Sequence, residues 1–124
     1  MIKVFVSYTL RDKKITQEML ENLKYILNKL ERIESYIDII DNKNVESPQD
    51  EVVNNLLSSN IIWVINSKCL NQSKWVELEL AYAKTKKKPI YYIEYSNIIK
   101  MSNFVDLDCL KNYIKNFVPI GFQL

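Results

Sequence analysis

Short apolar runs alternate with segments of helical periodicity along most of this chain. The runs at residues 3–8, 36–40, 61–65 and 90–93 are rich in β-branched and aromatic residues, and they predict β-strands. Between them, apolar residues recur at spacings of three and four, which predicts amphipathic helices. Successive parallel strands need such crossovers, and right-handed crossovers place helices on both faces of a sheet. The alternation therefore predicts an α/β fold of three layers around a parallel sheet.

The helix boundaries are marked by capping and breaking residues. The first helix is predicted within residues 12–30. Ser47 is predicted to cap the second helix, and Pro48 fits its first position. The buried face of this second helix is predicted to consist of four apolar residues, Val52, Val53, Leu56 and Leu57.

The last third of the chain carries weaker signals. Asn71 or Ser73 is predicted to cap a third helix that extends to about Lys87, shortly before Pro89. A short apolar stretch at 104–107 predicts a fifth strand, followed by a final helix. We therefore expect a central sheet of about five strands.

Composition limits the number of domains and the classes of partner. A chain of 124 residues with 48% apolar composition is long enough for one packed core, so residues 1–124 are predicted to form a single domain. The 17 basic and 15 acidic residues are mixed along the chain, which does not favour a nucleic-acid partner. The apolar run at 61–65 is far shorter than the roughly 20 residues that span a bilayer. We expect a cytoplasmic protein with no membrane partner.

Two residue types that many enzymes require are absent or nearly so. The chain has no histidine, which excludes a Ser-His-Asp triad, a Cys-His dyad and a histidine-ligated zinc site. Its only glycine is Gly121, so neither a P-loop nor a G-x-G-x-x-G fingerprint can form. We expect no metal centre, and any bound nucleotide must be held in another way.

Two segments resemble the Toll/interleukin-1 receptor (TIR) domain family. Residues 4–8, Val-Phe-Val-Ser-Tyr, with Asp12 shortly after them, are similar to the first conserved box of that family. Ser73, Trp75, Glu79 and Leu80 match its S-x-W-x-x-x-E-L segment. The resemblance covers nearly the whole chain and implies a flavodoxin-like TIR fold of the bacterial stand-alone type. The loop at 41–47 would be the mobile loop after the second strand, although it lacks the glycine that this loop often carries.

The resemblance implies one of two activities. Bacterial members and some animal and plant members cleave the nicotinamide–ribose bond of NAD+, whereas many receptor and adaptor members only assemble with other TIR domains. The leading expectation is an NAD+ glycohydrolase or ADP-ribosyl cyclase, with NAD+ as its substrate and no cofactor. Such an enzyme depletes NAD+ or makes a cyclic or conjugated ADP-ribose signal in bacterial defence against phage. TIR–TIR self-association and a separate sensor or effector protein are the partners that this implies.

Glu79 is the candidate catalytic residue. Departure of nicotinamide builds positive charge on the ribose, which one well-placed carboxylate can stabilise. Trp75 and Glu79 are four residues apart and share a helix face, while Glu77 is rotated away from both. The indole would shield the carboxyl group and raise its pKa, or form a wall of a ring-stacking site. The alternative is that Trp75 is a core residue and Glu79 a solvated one.

Three further residues are candidates for substrate binding. Ser7 and Tyr8 end the first predicted strand at the rim of the expected pocket, and strand-end packing is the competing interpretation. The planar guanidinium of Arg11 suits a pyrophosphate, although Arg11 is equally well explained as a surface charge near a helix start.

Two other functions remain open from the sequence. One is a non-catalytic module that works through TIR–TIR contacts, for which substitution of Glu79 would leave function intact. The other is an enzyme like the nucleoside deoxyribosyltransferases, which have a related layered architecture and also use a glutamate on an N-glycosidic bond. The second would accept deoxynucleosides and ignore NAD+.

Overall fold

Four parallel strands form the central sheet in the computed structural model, which describes residues 1–124. Their order is β2-β1-β3-β4, the order that a flavodoxin-like fold requires for its first four strands. The strands are β1 (Ile2–Ser7), β2 (Ile33–Ile37), β3 (Ile61–Ile65) and β4 (Ile90–Ile93). The predicted bounds of β3 and β4 are confirmed, and the prediction for β1 is off by one residue at each end.

Six α-helices surround the sheet. They are α1 (Gln17–Asn28), α2 (Asp38–Asp41), α3 (Pro48–Ser58), α4 (Lys74–Thr85), α5 (Tyr95–Asn103) and α6 (Leu107–Ile114). Side chains alternate along each strand, so the sheet contributes to two separate cores. The larger core, with Val4, Val6 and Trp63, lies under α1, α5 and α6. The smaller one, with Phe5 and Val64, lies under α3 and α4, so the predicted three-layer α/β fold is confirmed.

The prediction for the second strand is wrong in its position. The strand covers residues 33–37 rather than 36–40, and Asp38–Asp41 form the single-turn helix α2. The carboxylate of Asp41 explains the turn, because its Oδ2 accepts a hydrogen bond from the backbone N–H of Ile37 at 2.8 Å. Ile39 and Ile40 still pack against the larger core, so the apolar run continues although the strand has ended.

The predicted fifth strand at 104–107 does not form. Residues 104–106 connect α5 to α6, and Leu107 is the first residue of α6. Asp106 caps α6 by accepting a hydrogen bond from the backbone N–H of Asp108 at 2.9 Å. The helix α5 was not predicted. It begins with a reciprocal capping box, in which the side chains of Glu94 and Asn97 each accept a backbone N–H from the other residue.

The other helix predictions are confirmed in outline and corrected in detail. The first helix begins at Gln17, later than the predicted segment does. Pro48 is the first residue of α3, but the Ser47 side chain makes no capping hydrogen bond. Of the four residues predicted to form the buried face of α3, Val52 and Leu56 are buried, whereas Val53 and Leu57 are exposed.

The helix that carries Glu79 begins and ends at defined points. Ser73 caps α4, since its Oγ accepts a hydrogen bond from the backbone N–H of Val76 at 3.3 Å. The helix ends at Thr85 rather than at Lys87, which adopts a positive φ of 57°. None of the helices in the protein has the length and apolar character needed to cross a membrane.

Candidate active site

The centre of the candidate site is a hydrogen bond between the first strand and the fourth helix. Ser7 ends β1, a strand paired on both sides, and its Oγ donates to Oε1 of Glu79 at 2.8 Å. Both side chains are buried, and only 7% of the Glu79 surface is exposed. Because parallel strands bring their carboxyl ends to one edge, α4 places this carboxyl group where α/β folds bind ligands.

Burial changes the acidity of Glu79. Its pKa is raised to about 7, chiefly because the carboxyl group is removed from water. Nearby Asp38 raises the pKa further by charge repulsion, while the hydrogen bond from Ser7 and the side chain of Trp75 lower it. The carboxyl group therefore changes its charge close to neutral pH, as the catalytic acids and bases of enzymes often do.

Trp75 lies one turn before Glu79 on the same helix, and 39% of its surface is exposed. It lines a small cavity of about 200 Å³, here called the Trp75 cavity, together with Asp38 and Val52. The expectation of an aromatic wall is thus consistent with its position. The expected rise in the Glu79 pKa is present and burial is its main cause, while the hydrogen-bonding interaction of the Trp75 side chain with Glu79 acts in the opposite direction.

Asp38 is a site residue that sequence reasoning missed. It begins α2, and its Oδ1 accepts hydrogen bonds from the Tyr36 hydroxyl and from Nδ2 of Asn42, each at 2.9 Å. The predicted strand at 36–40 concealed it, because a residue in the middle of a strand is not a candidate at a ligand-binding edge. A polar residue interrupting an apolar run at the end of a strand was the available signal.

Tyr8 contacts α2 from the end of the first strand. Its hydroxyl oxygen accepts a hydrogen bond from the backbone N–H of Ile39 at 2.9 Å. Burial raises the pKa of Tyr8 to about 12, and the charges of Asp38 and Glu79 act in the same direction. The phenol therefore keeps its proton at neutral pH and can donate it in a hydrogen bond.

A family model described as the TIR-like domain of the Thoeris protein ThsB matches residues 5–98, about three quarters of the chain. The chain belongs to this family. The predicted membership of the TIR group is thereby confirmed, and the protein has a TIR-domain role in antiphage defence. No curated protein and no solved structure matches the chain significantly. The matched part of the TIR-like domain contains Ser7, Tyr8, Asp38, Trp75 and Glu79.

Arg11 stands apart from the other predicted site residues of this TIR-like domain. Its side chain is exposed and makes no hydrogen bond or ion pair, and its backbone N–H donates to Oγ1 of Thr9 at 3.3 Å. No hydrogen bond or ion pair joins Arg11 to Glu79. The structure therefore brings together Ser7, Tyr8, Trp75 and Glu79, whereas Arg11 does not interact with them in this way. No cluster of three or more histidine, cysteine or acidic side chains is arranged to hold a metal ion.

Proposed function

We propose that this TIR-like domain cleaves the nicotinamide–ribose bond of NAD+, with Glu79 as the residue that stabilises the transition state. The observation that carries the proposal is the buried Glu79 carboxyl group, held by Ser7 at 2.8 Å with its pKa raised to about 7, one helical turn from the indole of Trp75. The predicted roles of Tyr8 and Trp75 in substrate binding belong to the same proposal.

The chemistry needs a negative charge at one point. As the bond between the ribose carbon and the pyridinium nitrogen breaks, its electron pair goes to nicotinamide, which leaves as a neutral molecule. The ribose carbon becomes an oxocarbenium-like centre, which the ionised Glu79 stabilises. No general acid is required, and the absence of histidine from the chain is therefore compatible with the reaction.

The charges around the site favour a cationic ligand. Asp38 raises the pKa of both Glu79 and Tyr8 by its negative charge, which means that its carboxylate acts on the site directly. Asp38 also lines the Trp75 cavity. A cationic nicotinamide ring in that cavity would meet the indole face of Trp75 and the charge of Asp38. A neutral deoxynucleoside has no comparable attraction to the charge of Asp38. We therefore rank the deoxyribosyltransferase function below NAD+ cleavage.

Substrate contacts beyond the reacting carbon follow from the same arrangement. The proton of the Tyr8 hydroxyl is free for a ribose hydroxyl, because the phenol oxygen acts only as an acceptor toward Ile39. Arg11 would bind the pyrophosphate by moving its exposed side chain, since it has no partner to release. Attack on the oxocarbenium-like centre by water gives ADP-ribose, and attack by an adenine nitrogen gives a cyclic product. Either outcome depletes NAD+ or supplies a signal to a separate effector protein.

A second candidate is a non-catalytic module that acts by TIR–TIR association. Apolar side chains are exposed on the loop after α2 and on α4, notably Val45 at 93% and Leu78 at 62%. Exposed apolar residues of this kind are common at protein contacts. Self-association is also compatible with catalysis, so the two candidates are separated by the chemistry and not by the oligomeric state.

The deciding experiment follows nicotinamide release from NAD+ by chromatography, at high protein concentration and with a crowding agent that promotes assembly. The wild-type protein is expected to release nicotinamide, and Glu79→Gln to reduce the rate about 100-fold or more. Glu77→Gln is the matched control, because it makes the same change on the exposed side of the same helix. A parallel incubation with deoxynucleosides tests the deoxyribosyltransferase function.

Three outcomes would count against the proposal. No release by the wild-type protein under any of these conditions would leave the association module as the function. Equal nicotinamide release by the Glu79→Gln variant and the wild-type protein would show that Glu79 is not a catalytic residue. Turnover of deoxynucleosides without turnover of NAD+ would favour the deoxyribosyltransferase chemistry.

A further inference from the structure

The outer edge of β4 is left without a neighbouring strand. β4 is the last strand in the order β2-β1-β3-β4, and no fifth strand follows it. Successive residues of a strand direct their N–H and C=O groups to alternate sides. The carbonyl oxygens of Pro89 and Ile93 accept hydrogen bonds at 2.9 Å each from β3 and the residue after it. The N–H and C=O groups of Ile90 and Tyr92 therefore point outward.

These outward groups have no partner within the protein. They take part in no backbone or side-chain hydrogen bond, and the Tyr92 side chain beside them is 51% exposed. Pro89 does not protect the edge, because its missing N–H belongs to the side that faces β3. An edge with free N–H and C=O groups is a template for another strand.

The opposite edge of the sheet, on β2, is closed by the chain itself. The outward N–H of Ile33 donates to the preceding turn, and the outward C=O of Ser35 accepts from Nζ of Lys24. The outward N–H of Ile37 donates to the carboxylate of Asp41. One edge of the sheet is thus blocked, and the edge on β4 is open.

We propose that the β4 edge pairs with the β4 edge of a second copy of this chain, antiparallel and about a two-fold axis at Tyr91. In that register Ile90 of each copy lies opposite Tyr92 of the other. Each such pair exchanges two backbone hydrogen bonds. The outward N–H and C=O groups of both residues are then satisfied in both copies.

The neighbouring registers are excluded by bonds that the chain already makes. They would place Lys88 or Glu94 in a hydrogen-bonded pair and would need its backbone N–H. The N–H of Lys88 donates to the carbonyl of Ala83 at 2.9 Å, and that of Glu94 to Oδ1 of Asn97 at 2.8 Å. Only the register centred on Tyr91 uses free groups alone.

The side chains agree with this register. It places the exposed ring of Tyr92 beside the half-buried Ile90 of the other copy, and aromatic residues pair favourably with β-branched ones across strands. It also places Lys88 opposite Glu94, and neither has an ion-pair partner within the chain. Opposite charges at the two ends favour the antiparallel direction. Because the contact is small, the dimer is expected to be weak.

This interface is independent of the proposed cleavage of NAD+. Neither Ser7 nor Glu79 belongs to the β4 edge, and the exposed Val45 and Leu78 lie outside it as well. Dimerisation is therefore expected to persist in Glu79→Gln. The failure of one proposal leaves the other standing.

The first test is disulfide cross-linking of the full chain, after both native cysteines, Cys69 and Cys109, are replaced by serine. In the proposed register the two copies of Tyr91 form a non-hydrogen-bonded pair with Cα atoms about 4.5 Å apart, which a disulfide can bridge. Tyr91→Cys should therefore give a covalent dimer on mild oxidation. Tyr92→Cys is the matched control, because its partner is residue 90. It should cross-link about ten-fold more slowly although Tyr92 is the more exposed residue.

The second test measures the non-covalent dimer by sedimentation velocity at protein concentrations up to about 1 mM, as a small interface requires. Tyr92→Pro removes an outward N–H that the monomer does not use, and should weaken dimerisation about ten-fold or more. Tyr92→Thr removes the same ring and keeps the N–H, so it should weaken dimerisation only about three-fold. Urea denaturation checks that both variants are folded.

Equal cross-linking at the two positions, or faster cross-linking at residue 92, would overturn the proposal. So would equal weakening by Tyr92→Pro and Tyr92→Thr. A chain that stays monomeric at every concentration and gives no selective cross-link would also overturn it, and would leave the edge to an extended segment of a different protein. If Tyr92→Pro does not fold, the cross-linking result decides.

Discussion

Glu77 and Glu79 are the same residue type, two positions apart on α4, and they lie in opposite surroundings. Glu77 is exposed and lines an open cavity with Tyr92, while Glu79 is buried against the end of β1 and bound by Ser7. A rotation of about 200° around the helix axis separates the two side chains. The comparison teaches that the burial and raised pKa of Glu79 come from the contact between α4 and the sheet edge, since residue type and helix position are nearly equal.

Glu77 and Glu79 should differ most in how their substitution changes the free energy of unfolding. The pKa of Glu79 is raised from 4.5 to about 7 on folding, so the folded state binds its proton more tightly than the unfolded state does. The resulting stability is fully present below pH 4.5 and is lost as the pH rises through 7. Glu79→Gln should therefore increase the free energy of unfolding by about 3 kcal/mol at pH 8.5 and change it little at pH 4.

Urea denaturation at the two pH values measures this difference, with Glu77→Gln as the control that should change stability at neither pH. An equal change in both variants, or no pH dependence in Glu79→Gln, would mean that Glu79 is solvated like its neighbour.

The aromatic neighbour of Glu79 gives a second contrast on the same helix. Trp75→Ala should raise the KM for NAD+ about ten-fold, because it removes one wall of the cavity proposed to bind the nicotinamide ring. Leu78→Ala removes an apolar side chain that is more exposed than Trp75 and should leave KM unchanged. Initial rates at varied NAD+ concentration provide the measurement. A similar effect of both substitutions would assign Trp75 to association rather than to the substrate.

The rate of the proposed reaction should rise through about pH 7, because the proposed mechanism requires the ionised form of Glu79. Ser7→Ala removes a hydrogen bond that lowers the Glu79 pKa, so the midpoint should move to higher pH by roughly one unit. The maximal rate at high pH should change less than the rate at pH 7. A profile that keeps its midpoint in Ser7→Ala would show that the rate does not follow Glu79.

The smallest expected effect is a shift of the midpoint of the pH–rate profile to lower pH, opposite to the shift expected for Ser7→Ala. Asp38→Asn removes a negative charge that raises the Glu79 pKa, so the midpoint should move to lower pH by less than one unit. The asparagine can keep accepting from Tyr36 and Asn42 through its amide oxygen, which preserves the local structure. The two pH profiles, recorded side by side, test whether both groups act on one carboxyl group. Shifts of the same sign would contradict that arrangement.

Prediction from the sequence was most accurate where the local hydrophobic pattern matches the burial of the segment in the fold. The runs at 61–65 and 90–93 are buried strands with clear breaks on both sides, and their bounds were predicted correctly. The pairing of Trp75 with Glu79 on one helix face depends only on helix geometry, and the structure bears it out. The burial of Glu79 has a different origin, because it requires Ser7 from a distant strand.

The errors have a shared physical cause. The run at 36–40 is apolar throughout most of its length, but the carboxylate of Asp41 bonds the backbone N–H of Ile37 and ends the strand early. A side chain that competes with the sheet for a backbone donor cannot be recognised from hydrophobic pattern alone. The same holds for α5, whose start depends on reciprocal side-chain capping by Glu94 and Asn97.

The hydrogen bond between Ser7 and Glu79 joins residues that are 72 positions apart. A chain still emerging from the ribosome has Ser7 available long before Glu79 is made, and the carboxyl group has no burial until α4 docks onto the finished β1–β3 pair. The contact between Ser7 and Glu79 can therefore form only after the residues from β1 to α4 have been synthesised and packed. A fragment that ends before α4 lacks the Glu79 carboxyl group and therefore carries no assembled site.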